Sequence, residues 1–154
     1  MTSRLNLQTL YIPKRLADSL ENIKKYPLTV LEAPSGFGKT TALSEFFSHG
    51  CFKDKYILKR TFFTADTDEY WRRFCDALSD ADRICADALR ALGTPCDENM
   101  SDIREILSES ECARETYIVL DNLSGSAEGI NTFLTALSCN RAEELHIVAS
   151  VQSV

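Results

Sequence analysis

Eight consecutive residues, Ala33-Pro34-Ser35-Gly36-Phe37-Gly38-Lys39-Thr40, constrain this chain more than any other segment. They follow the pattern G-x-x-x-x-G-K-[ST], with alanine standing where the first glycine is usual. An apolar, β-branched run, Leu28-Thr29-Val30-Leu31-Glu32, precedes them, and Thr41-Ala42-Leu43-Ser44-Glu45-Phe46-Phe47 after them has helical apolar spacing. Strand, glycine turn and helix together let successive backbone N–H groups face a single anion. Gly36 and Gly38 permit the backbone angles this needs, and a helix starting near Lys39 adds its free N–H groups and positive dipole end. The segment therefore reads as a phosphate-binding loop. The backbone of Pro34, Ser35, Gly36, Phe37 and Gly38 would cradle a polyphosphate, and Lys39 would reach its β- and γ-phosphates. The Thr40 hydroxyl would ligate Mg²⁺, with Thr41 near the α-phosphate. The bland alternative is a glycine-rich turn carrying an exposed lysine.

Alternating elements follow. Tyr56-Ile57-Leu58-Lys59-Arg60-Thr61-Phe62-Phe63 predicts a second strand, and Asp66-Thr67-Asp68-Glu69 caps a helix whose apolar stripe uses Tyr70 or Trp71, Phe74, Cys75 and Leu78. A further helix carries Ile84, Cys85, Ala88, Leu89 and Leu92 as a core stripe, and Gly93-Thr94-Pro95 breaks it. A short helix runs from Ser101 through Ser108. Ile130, Phe133, Leu134 and Leu137 mark another, and Leu145 to Ser150 reads as a last strand. Upstream, Leu5 to Leu10 is a polar-apolar lead-in, Ile12 to Arg15 a turn, and 14–25 a helix with Leu16, Leu20 and Ile23 on one face. Tyr26-Pro27 stops that helix. The fold class expected is α/β: one domain over 1–154, with a lead-in and helix over 1–27 and a mostly parallel, doubly wound core over 28–154.

Thr116-Tyr117-Ile118-Val119-Leu120-Asp121-Asn122 supplies the second half of a site. Four apolar residues running into an aspartate describe a buried parallel strand with a carboxylate at its tip. In phosphate-loop NTPases such an aspartate binds Mg²⁺ near the loop Ser/Thr, so Asp121 joins Thr40 as a candidate metal ligand. A strand-end aspartate that merely opens a turn is the alternative. Asn122 stands where many ATPases carry a second acid that orients the attacking water. An amide can position that water but cannot take its proton, so binding or slow turnover is favoured over fast hydrolysis.

Other chemistries find little support. Gly125-Ser126-Ala127-Glu128-Gly129 has alanine where a nucleophile elbow needs serine, and His49 and His146 lack triad spacing. The six cysteines, Cys51, Cys75, Cys85, Cys96, Cys112 and Cys139, form no C-x-x-C pair and read as thiols of a reducing compartment. No apolar run approaches a membrane span, so the cytoplasm is expected. Residues 1–60 carry ten Lys/Arg and five Asp/Glu, whereas 61–154 carry seven and eighteen. An acidic body of this kind argues against direct nucleic-acid binding by this segment.

With these motifs the chain resembles the nucleotide-binding domain of STAND-class signalling ATPases, in particular the large LuxR-family transcriptional regulators related to the maltose-regulon activator. Ile12 to Leu16 is similar to the family's lead-in, Ala33 to Thr41 to its loop, and Asp66 to Leu78 to its acidic turn and aromatic helix. Leu120-Asp121-Asn122 falls on its Walker B strand, and Ile147 to Ser150 on its sensor strand. The resemblance implies an ATP- or ADP-binding switch with Mg²⁺, with Ser150 as a further nucleotide contact. Val151 stands where the family often has arginine, unless Gln152 takes that place in a shifted register. It also implies that a fifth strand, a helical lid, a sensor domain and a DNA-binding segment belong to a longer chain, the present one being truncated before the fifth strand. In the family's strand order, 5-1-4-3-2, the strand at 28–32 then has an open edge, to be covered by the chain's own 5–10 segment or by self-association. Three rivals stand beside this reading: a stand-alone ATPase or small kinase, an AAA-type replication-related ATPase, and a scaffold whose nucleotide site is degenerate.

Overall fold

The computed structural model describes residues 9–12, 23, 26–33, 47–48, 52–112 and 114–152. Among these, five strands form one sheet: β1 (Thr9–Ile12), β2 (Leu28–Ala33), β3 (Tyr56–Thr61), β4 (Thr116–Leu123) and β5 (Leu145–Gln152). Four helices accompany them: α1 (Thr67–Ser79), α2 (Arg83–Leu92), α3 (Met100–Ser108) and α4 (Ala127–Leu137). The sheet order is β1-β2-β5-β4-β3, and every neighbouring pair is parallel. None of the described helices is long and apolar enough to cross a membrane.

Both faces of the central strands are covered, which is why they read as near-continuous apolar runs. Leu28, Val30, Ile118, Leu120, Ile147 and Ala149 face one core with Tyr70, Trp71, Phe74, Phe133 and Leu137 from α1 and α4. On the opposite face Leu31, Tyr117, Val119 and Val148 pack with Ile23 and Phe52. Phe47, which is helical, lies against Phe52 and Tyr117 with ring centroids 4.9 and 5.5 Å away. That second face carries the residues of interest below.

The order β2-β5-β4-β3 agrees with the expected order of the strands at 28, 145, 116 and 56. The outer edge of β2 is covered by the chain's own N-terminal region, in register from Thr9↔Leu28 to Ile12↔Leu31. The described part of the covering segment is Thr9–Ile12, which overlaps the expected 5–10 segment at Thr9 and Leu10 and runs two residues beyond it. It includes Leu10, Tyr11 and Ile12, the β-prone residues of that stretch, and ends immediately before Pro13, which has no N–H to give a ladder.

One core expectation fails. Ile84 is 85% exposed, and α2 instead buries Cys85, Ala86 and Leu89. The stripe is turned by one residue because Asp82 fixes the helix start. Its Oδ1 accepts from Cys85 N at 3.1 Å, while Oδ2 accepts from Ser110 Oγ at 3.0 Å and Glu111 N at 2.8 Å.

Candidate functional site

Strand β4 delivers Asp121 to the carboxyl edge of the sheet, where its side chain is only 2% exposed. Side chains alternate along a strand, so Asp121 shares a face with Tyr117 and Val119. On β5, Ser150 shares that face with Val148. It follows Ala149, the register partner of Leu120, at the point where the β4–β5 ladder becomes irregular. The Ser150 hydroxyl is buried and has no hydrogen-bond partner among the described residues. On β3, Thr61 is the register partner of Asp121, and Lys59, two residues earlier, presents its side chain to the same face. Its Nζ lies 4.0 Å from Asp121 Oδ2. A carboxylate with an ammonium 4.0 Å away, and a buried hydroxyl on the neighbouring strand, thus share one face of the sheet toward its carboxyl edge.

The residues expected to form a phosphate loop, Pro34, Ser35, Gly36, Phe37, Gly38, Lys39, Thr40 and Thr41, lie outside the described residues, as does His49. The strand that leads into the loop is described. Ala33 closes β2 as an ordinary strand residue opposite Gln152, and Asn122 is the one non-glycine residue with positive φ among those described. With β5 between them, β2 and β4 stand about 10 Å apart, two strand spacings.

Asn122 is held by its neighbours. It adopts φ 70°, a conformation asparagine tolerates better than most residues, at an irregularity in the β4–β5 ladder between Leu120 and Leu123. Its Nδ2 donates to Phe62 O at 2.8 Å, and its Oδ1 accepts from Gln152 Nε2 at 2.9 Å. The amide bridges the ends of β3 and β5. Val151 is buried in the first core, so Gln152 is the residue at this end of β5 that turns toward β4.

A tyrosine ties the loops beyond the strands. The Tyr70 hydroxyl lies 2.7 Å from Thr64 O and 2.6 Å from Ser124 O, its proton available to either, and it accepts from Ser124 N at 3.0 Å. Gly125, at φ 121°, packs so closely on Ala65 that an added Cβ would lie 3.3 Å from its carbonyl oxygen. Lys59 and Tyr70 were not read from sequence as site components, nor was the pairing of Asn122 with Gln152. Strand parity with Thr61 was the available signal for Lys59.

The remaining reactive groups lie elsewhere. His146 sits at the amino end of β5, about 13 Å along the strand from Ser150. Its Nδ1 faces Tyr26 O and its Nε2 faces Glu115 Oε2, each at 3.1 Å. Burial pushes the Glu115 carboxyl up, but hydrogen bonds from Lys55 and Tyr117 outweigh it and hold the group below the usual carboxylate range. Ser126 caps α4 by accepting from Gly129 N at 3.1 Å. Burial pushes the Cys75 thiol up to about 12 and those of Cys85 and Cys112 to about 11, so these three stay protonated near neutrality and are poor nucleophiles. A cavity of about 420 Å³ opens at the starts of α1 and α4, where Asp97, Glu98 and Glu128 make an acidic lining unsuited to phosphate.

No protein-family model matches the chain, and no curated protein matches it in sequence.

The donor set at the strand ends fits a hard cation beside a phosphate. Carboxylate and hydroxyl oxygens are ligands Mg²⁺ accepts, and Ser150 offers a buried hydroxyl that no described neighbour engages.

Proposed function

We propose that this chain is an ATP- or ADP-binding switch domain of the STAND type, part of a cytoplasmic transcriptional regulator whose DNA contacts belong to other segments. The observation that carries the reading is the buried Asp121 at the tip of β4, two strands from the point where a G-K-T loop leaves β2. The backbone N–H groups of 34–38 would hold the phosphates, and Lys39 would neutralise the β- and γ-groups. Thr40 and Asp121 would hold Mg²⁺, the latter through water, and Ser150 would donate toward a phosphate oxygen. When bound, Mg²⁺ supplies charge neutralisation on the phosphate oxygens. In a switch of this kind the nucleotide state biases the arrangement of the attached segments.

Turnover by the isolated chain is expected to be slow, below about 0.1 per second, for two reasons. Asn122 has no proton-accepting group, and its amide is already engaged with Phe62 and Gln152. No arginine finger is apparent in the sequence, and such fingers contribute about 10³–10⁵ in rate where they act. Equilibrium binding of labelled ATP and ADP, followed by steady-state phosphate release, tests both parts. Tight binding with release of several phosphates per second would replace the switch with a stand-alone ATPase. A folded chain that binds neither nucleotide would leave the scaffold.

A further inference from the structure

Lys59 has no task in the reading above, yet it reaches the centre of the site. It is the last lysine in the sequence. It lies on the edge strand β3, in phase with Thr61, and its ammonium comes within 4.0 Å of the Asp121 carboxylate. The two partners differ in exposure, Asp121 at 2% and Lys59 at 35%. A carboxylate removed from water in this way needs nearby positive charge, because an uncompensated buried ion is strongly disfavoured. Lysine is suited to a reversible version of that service: its charge is compact, and its four-carbon stem can swing the ammonium back to solvent from an edge strand. The neighbouring Arg60 turns its guanidinium to the Lys59 carbonyl at 3.0 Å.

We propose that Lys59 is a built-in cation of the site, countering the charge of Asp121 in the nucleotide-free protein and leaving it when Mg²⁺ arrives with the nucleotide. The inference rests on the reading of Asp121 as the Mg²⁺ carboxylate. Two cations beside one carboxylate repel each other even when one of them binds through water, so loading becomes an exchange: ammonium out to solvent, Mg²⁺ in. The exchange sets the Mg²⁺ concentration at which the site fills and keeps Asp121 compensated in both states.

The test uses the full chain, a fluorescent ATP analogue and a Mg²⁺ titration, with Lys59→Gln and Lys59→Arg beside the unaltered protein. Removing the competing charge in Lys59→Gln is expected to lower the half-saturating Mg²⁺ about two- to fivefold, the range expected for one partly screened ion pair. Lys59→Arg, which keeps the charge, is expected to stay at or above the unaltered value. A second readout needs no nucleotide: Mg²⁺ alone should raise the melting temperature of Lys59→Gln more than that of the unaltered chain. That comparison also covers a glutamine variant that is less stable than its parent. Equal half-saturating Mg²⁺ in all three proteins overturns the exchange and leaves the nucleotide site standing. Weaker ATP·Mg²⁺ binding in Lys59→Gln also overturns it, by showing that Lys59 holds the phosphates. If neither the unaltered chain nor the variants bind ATP at any Mg²⁺ concentration, the site reading itself fails and the exchange falls with it.

Discussion

Substituting Asn122 by aspartate is expected to destabilise the protein by about 1–3 kcal/mol instead of producing a faster ATPase. The change keeps the size of the side chain and its tolerance of φ 70°, and the oxygen that accepts from Gln152 Nε2 remains. What disappears is the Nδ2 donor to Phe62 O at 2.8 Å. A carboxylate oxygen would then face a carbonyl oxygen, with a second negative charge next to the buried Asp121. For a domain near 150 residues the loss corresponds to a fall in melting temperature of about 3–10 °C. Thermal and urea unfolding measure it. An Asn122→Asp protein as stable as its parent, releasing phosphate tenfold faster, would return Asn122 to the water-orienting role its position in the sequence suggests.

Replacing Lys39 by alanine is expected to weaken ATP·Mg²⁺ binding about 10- to 100-fold while the far-ultraviolet circular dichroism stays unchanged. The figure follows from hydrogen bonds to charged groups contributing about 1.5–3 kcal/mol. ADP should lose less than ATP, because the lysine is assigned to both the β- and γ-phosphates and ADP lacks the second. Calorimetry with both nucleotides separates these effects. Equal affinities in the two proteins would remove Lys39 from the site.

Much of the core was legible because its elements are long and buried. In β4 and β5 nearly every residue is buried, so a continuous apolar run announced each strand without regard to register. Helices α1 and α4 were equally plain: Tyr70, Phe74 and Leu78 in one, and Ile130, Phe133, Leu134 and Leu137 in the other, repeat at helical spacing and are buried where expected. The failures sit where a neighbour decides. The four residues of β1 make a strand because β2 has an edge to fill, a fact about the sheet and not about the segment. Ile84 is exposed because Asp82 orients α2 through contacts with 110 and 111, more than 25 residues away.

The site divides in the same way. Asp121 was legible as a carboxylate ending an apolar strand, and Ser150 as a hydroxyl ending another. Lys59 was hidden because its approach to Asp121 depends on the β3–β4 register, which local periodicity does not encode. The engagement of Asn122 was hidden for a similar reason. Its partners, Phe62 and Gln152, are 60 and 30 residues away along the chain, and an amide looks identical in sequence whether it holds a water or a strand end.

The central claim is that Asp121 and the loop beginning at Ala33 serve one ATP·Mg²⁺. The measurement that tests it most directly is the Mg²⁺ dependence of ATP affinity in the unaltered chain and in Asp121→Asn, by calorimetry. Mg²⁺ is expected to tighten ATP binding in the unaltered chain, and this gain should vanish in Asp121→Asn while its Mg²⁺-free affinity is retained. Identical Mg²⁺ dependence in the two proteins, or a folded unaltered chain that takes up no ATP, would contradict the account.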